Sequence, residues 1–132
     1  MIKRIALMTL LAFLFSVGAA TVSAQWKDLG SKTVKAGLEQ DTWRVSSFKG
    51  QFRKVKLTVS HNSVKIHWIE IGYKNGGSDK IQINKVIKAG GSSKVFDLPG
   101  NDRYLDVVDI WYEAVKSAKN QETPTVTLWG LK

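Results

Sequence analysis

Basic side chains interleaved with aromatic ones are the residues of this sequence best suited to chemistry, and that chemistry is the recognition of anions. Lys49, Arg53, Lys54 and Lys56 cluster around Phe48 and Phe52, and Lys80, Lys85, Lys88 and Lys94 follow downstream. Side chains two apart in a strand share a face, so Lys54 and Lys56 would present a basic patch to phosphate, sulfate or an acidic polysaccharide. The competing reading is a solvated face that keeps a small protein soluble. Trp26, Trp43, Trp68, Trp111 and Trp129 are more tryptophans than one modest core requires. Those out of phase with the core, Trp111 and Trp129, could stack on sugar rings or a partner, or pack at sheet edges. The candidate ligand-binding residues are therefore Lys49, Arg53, Lys54, Lys56, Trp111 and Trp129.

Catalytic arrangements are weaker. Only His61 and His67 are present, and the nearby Ser60 and Ser63 lack the Gly-x-Ser-x-Gly setting of a nucleophile elbow. The two histidines lack a recognised zinc-ligand spacing, and Asp97, Asn101, Asp102 and Asp106 lack that of a known calcium loop. Glu70 and Asp109 each sit inside an apolar strand and would be neighbours if their strands share a sheet. The simpler reading is that both mark a wet face. No catalytic residue, metal or cofactor is assigned, and the chain is read as non-enzymatic.

The elements that must position these residues are almost all strands. Apolar stretches alternate with period two, are rich in Val, Ile, Trp and Tyr, and end in Gly, Asn, Asp or Ser within about ten residues. Strands are expected at Trp26 to Val34, Asp41 to Val45, Phe52 to Val59, Val64 to Tyr73, Lys80 to Asn84, Lys94 to Leu98, Arg103 to Glu113 and Thr125 to Leu131. Residues 46–50 and 61–63 read as turns, Asn75-Gly76-Gly77 as a hairpin turn, and 114–123 as a loop or helical turn.

Two long strands change phase. Val64 and Ile66 share one parity while Ile69, Ile71 and Tyr73 take the other, and Leu105 is likewise out of step with Val108, Ile110 and Tyr112. Such a slip predicts a β-bulge, or else burial on both faces. Ile69-Glu70-Ile71-Gly72-Tyr73 also echoes Val108-Asp109-Ile110-Trp111-Tyr112, which reads as two central strands converging on similar packing and suggests comparable positions, as in two facing sheets. About eight strands with one apolar face each predict an all-β fold, a two-sheet antiparallel β-sandwich of plain or jelly-roll type.

Trp26-Lys27-Asp28-Leu29-Gly30, Tyr73-Lys74-Asn75-Gly76, Ile87-Lys88-Ala89-Gly90-Gly91, Asp97-Leu98-Pro99-Gly100-Asn101-Asp102-Arg103 and Trp111-Tyr112 together resemble a group of small exported bacterial proteins classed as a domain of unknown function. The resemblance spans residues 25–132 and implies an exported β domain. It supplies no catalytic residues.

The first 24 residues carry an address. A basic start at Lys3-Arg4, an apolar run from Ile5 to Phe15 and small residues at Val22-Ser23-Ala24 form the pattern of a secretory signal cleaved before Gln25. The strongly apolar part is too short for a transmembrane helix. Residues 25–132 then form one domain, large enough for a single core. Two of the 20 basic residues and none of the 11 acidic ones lie in the leader, so +7 of the +9 charge belongs to the body. There is no cysteine, which removes disulfides, thiol catalysis and lipid attachment at a cysteine. The expectation is a periplasmic or secreted binding module for an anionic envelope polymer or glycan, with no cellular nucleic acid as partner and no membrane anchor after cleavage. The alternatives are an accessory protein docking on another exported protein and, third, a hydrolase of an envelope polymer, which needs a concave pocket holding two acids or a His–acid pair.

Overall fold

The computed structural model describes residues 25–132, and the expected signal peptide lies outside them. Eight strands follow one another: β1 (Trp26–Thr33), β2 (Leu38–Arg44), β3 (Lys54–Ser60), β4 (Ser63–Tyr73), β5 (Ser78–Ile87), β6 (Phe96–Asp97), β7 (Leu105–Val115) and β8 (Thr125–Leu131), with one 3-10 turn at Ser47–Lys49. They form two antiparallel four-stranded sheets, β1-β8-β3-β6 and β2-β7-β4-β5. The expected two-sheet sandwich is the observed fold.

Alternation explains the layering. Val55, Leu57 and Val59 of β3, Val126 and Leu128 of β8, Ile69 and Ile71 of β4, and Val108, Ile110 and Tyr112 of β7 all point inward and are buried. At roughly 1.5–3 kcal/mol for each large apolar side chain buried, this shared interior holds the sheets together. Of the five tryptophans only Trp43 is buried, with its indole N–H donating to the Gly30 carbonyl at 3.0 Å. Phe52 also lies in the core, fully buried, and not on the basic surface where the sequence pattern grouped it. It precedes β3 and is held by a bridge to Arg103, so its direction does not follow the alternation that begins at Lys54.

Both expected bulges are present. The β4 register shifts between Ile66 and Trp68 against both neighbours, and the β4–β7 register shifts again where Gly72 pairs Val107 and Tyr73 pairs Leu105, passing over Asp106. Each shift keeps the apolar side chains on either side facing the core.

The placement of the two echoing segments is a correction. They do not face each other across the sandwich; they are adjacent antiparallel strands of one sheet, with Ile69 opposite Ile110, Glu70 opposite Asp109 and Ile71 opposite Val108. Their likeness reflects a shared row of packing positions in the middle of that sheet.

Strand limits differ where tertiary pairing overrides local pattern. β2 begins at Leu38 because Leu38, Glu39 and Gln40 pair with Glu113, Tyr112 and Trp111 of β7. β5 continues past Asn84, which takes a positive φ of 48°, to Ile87. β6 shrinks to two residues, the stretch before it meeting β3 through irregular bonds. The 116–124 connection contains no helix and is tied down by Asn62, whose buried amide donates to the carbonyls of Asn120 (3.0 Å) and Glu122 (2.9 Å).

Candidate functional site

The outer face of β1-β8-β3 carries three of the six candidate residues, Lys54, Lys56 and Trp129. Lys54, Lys56 and Thr58 project outward from β3; register pairs Lys56 with Trp129 of β8 and Trp129 with Asp28 of β1. The Lys56 ammonium lies 4.3 Å from the ring centre of Trp26, a cation–π distance. The Trp129 indole N–H donates to Thr58 Oγ1 at 2.8 Å, which fixes its orientation in the row, and Ser31 and Thr127 share a hydroxyl contact of 2.7 Å one row further. The result is a polar, aromatic strip of three strands with Trp129 in its middle strand, Lys56 on one side and Asp28 on the other.

The other candidates surround that strip unequally. Lys54 forms an ion pair with Asp97, so part of its charge is neutralised. The Arg53 guanidinium donates to the Lys132 carbonyl at 3.0 Å. Lys49 ends the 3-10 turn, where its carbonyl accepts from the Lys27 ammonium at 3.4 Å. Phe48 is 98% exposed beside them. Trp26 was missed as a site residue, because its position at the start of β1 says nothing about which strand neighbours it.

Trp111 is not part of this face. It lies on the outer face of the opposite sheet, directly across from Trp68, and their rings stack at 4.8 Å with an interplanar angle of 22°. Lys80 sits 4.4 Å from the Trp68 ring, and the Trp68 indole N–H is buried without an acceptor among the described residues. Glu70 and Asp109 are opposite one another in the next row. Two like charges there are unfavourable unless compensated. Asp109 accepts from Thr42 (2.5 Å) and Gln40 (3.1 Å), and Glu70 is paired in register with Lys80. His67 and Glu113 approach to 3.2 Å on the same face.

Two clefts lie away from these faces. A cleft of about 340 Å³ opens between β5 and the segment preceding β6, and a smaller one of about 120 Å³ lies beside Lys74 and Arg103. Neither is lined by Glu70, Asp109, His61 or His67. Among the described residues no three His, Cys, Asp or Glu side chains group closely enough to hold a metal ion. Lys85, Lys88 and Lys94 line the larger cleft, while Lys80 belongs to the tryptophan pair.

Two tyrosines are perturbed for structural reasons. Burial, and then the hydrogen bond to Asp41 (2.6 Å), push the Tyr112 phenol well above the ordinary tyrosine range. Tyr73 is raised likewise, by burial and its bond to Asp79 (2.7 Å), with Arg103 stacked on its ring at 3.7 Å opposing the shift.

Comparison with known proteins adds a family and two distant likenesses. The family model described as a domain of unknown function, DUF2541, matches residues 5–130. The curated proteins contain no match. Similar solved structures include that of Pseudomonas aeruginosa AlgX, at 22% identity and a TM-score of 0.49 over 80% of this chain and 26% of that one. The SPBc2 prophage-derived protein YomS matches at 11% identity and a TM-score of 0.41, over 83% and 94% of the two chains. This chain thus spans about a quarter of the length of AlgX.

Proposed function

For a chain that belongs to the DUF2541 family of unknown function, we propose an exported, non-enzymatic module that binds an anionic polymer or glycan on the outer face of β1-β8-β3. The observation that carries this reading is Lys56 poised over Trp26 beside Trp129 on the outer face of three adjacent strands. A row of aromatic and cationic groups on the outer face of a sheet, lining neither cleft, suits an extended ligand lying along the sheet better than a small molecule needing enclosure. Lys49, Arg53 and Lys54 at the end of the strip would add longer-range attraction, Lys54 least because Asp97 already holds it. The export signal at residues 1–24 makes envelope polyanions the accessible class of partner.

The test is retention of the protein on immobilised heparin at low ionic strength. Lys54→Glu/Lys56→Glu should elute at clearly lower salt with its far-ultraviolet circular dichroism unchanged, and unchanged retention would remove the reading. The stacked Trp68 and Trp111 on the opposite face favour a second reading, docking on another exported protein. Such contact would survive salt that disperses the charge-driven one.

A further inference from the structure

The two sheets match strand for strand except at one edge. There β5 runs for ten residues while the opposing β6 has two, so the inner face of β5 is left partly uncovered. The cleft of about 340 Å³ is this gap. Its apolar floor is Ile83, Ile87 and Phe96. Lys85 pairs in register with the fully buried Ile66, on the row that continues to Ile87 opposite Val64, so it stands on the core-facing side of β5. A lysine in an apolar row needs a reason. Lys88 and Lys94 flank the same opening, no acid lines it, and no carboxylate of the described residues comes within 4.0 Å of any of the three ammonium groups.

We propose that this cleft binds an amphiphilic anion, its apolar part against Ile83, Ile87 and Phe96 and its carboxylate, sulfate or phosphate head on Lys85, Lys88 and Lys94. Charge complementarity selects the head, because Lys85, Lys88 and Lys94 line one cleft without a carboxylate partner, Lys94 with its ammonium 5.8 Å from the centre of the Phe96 ring. The volume, at the lower end of the roughly 300–1,000 Å³ common for ligand pockets, suits a small amphiphile, for which decanoate serves as the probe. The site is independent of the β1-β8-β3 face, since its lining shares no residue with it. The competing explanation is that the lysines guard an exposed edge strand against pairing with another chain, as inward-pointing charges do.

The experiment titrates the full protein with decanoate, 1-decanol, decyltrimethylammonium and inorganic phosphate, followed by calorimetry and by amide shifts of isotopically labelled protein. Decanoate should bind one per chain with shifts concentrated at residues 82–96, at least tenfold more tightly than 1-decanol, decyltrimethylammonium or phosphate. Lys85→Gln/Lys88→Gln/Lys94→Gln should weaken decanoate at least tenfold, and Lys54→Gln/Lys56→Gln should leave it unchanged. All three lysines are exposed, so the triple variant should fold. Absence of decanoate binding, equal binding of 1-decanol or phosphate, or shifts elsewhere would overturn the proposal. So would a triple variant that self-associates yet binds decanoate as the parent does, because the lysines would then serve only the edge.

Discussion

Glycine at 130 permits the closest approach in the core, and Gly130→Ala measures how far that core resists change. Gly130 faces inward from β8 between Val55 and Lys27 in register, with the Phe52 ring lying directly on it. A Cβ there would stand 2.6 Å from Phe52 Cδ1, 2.9 Å from Cε1 and 3.0 Å from Cγ. The ring would have to retreat by about 0.8 Å to restore ordinary contact at 3.4 Å. It has little freedom to do so, being fully buried and anchored through two 2.9 Å backbone hydrogen bonds with Arg103. Overpacking of this kind costs about 1–3 kcal/mol. For a domain of this size that lowers the Tm by about 5–15 °C. Thermal unfolding by circular dichroism gives the shift, and a cycle with Phe52→Ala isolates its cause. Phe52→Ala alone should cost about 3–5 kcal/mol. In its background, Gly130→Ala should cost under about 0.5 kcal/mol, because the ring is gone. An equal penalty in both backgrounds would refute the steric argument and assign the loss to the backbone.

Three further outcomes follow from the buried polar groups and the tyrosines. Asn62→Ala removes the amide that ties down the 116–124 connection and should cost about 1–3 kcal/mol, with faster proteolysis between residues 116 and 123 as the local readout. Tyr112→Phe should cost about 1.5–3 kcal/mol at neutral pH by removing a hydrogen bond to a carboxylate. The phenols of Tyr73 and Tyr112 are raised in the folded state, so the unfolded chain releases their protons first, near its ordinary value of about 10. Stability should therefore be fully retained below about pH 10 and decline as pH rises above it. Denaturant titrations from pH 8 to 11 should show that decline, and a shallower one in Tyr73→Phe/Tyr112→Phe; an equally steep decline in the double variant would show that other groups cause it.

Much of the architecture could be read along the chain because it is local. Period-two alternation marks the strands, and the phase slips at Ile66/Ile69 and Leu105/Val108 mark the bulges in β4 and β7, whereas the register shift between Asp28 and Gly30 in β1 leaves no such mark. Pairing is a long-range property, and there local reading failed. Nothing in Glu70 or Asp109 says that their strands adjoin, and identical alternation serves facing sheets and neighbouring ones alike. The site was divided for the same reason. Trp129 and Trp111 are both out of phase with the core, yet they lie on opposite outer faces because β8 and β7 belong to different sheets. Along the sequence Lys85 is one of several lysines, since the shortness of β6 that opens space before it is decided elsewhere in the chain.

Five indole N–H groups make the proposed face directly observable. In a titration of labelled protein with a heparin hexasaccharide at low salt, the indole signals of Trp26 and Trp129 should shift together with the amides of Lys54 and Lys56, while those of Trp68 and Trp111 stay fixed. The Trp26 and Trp129 shifts should disappear in Lys56→Glu and diminish as salt is raised. Shifts confined to Trp68 and Trp111, or no shift at any tryptophan, would contradict the assignment of the β1-β8-β3 face as the binding surface.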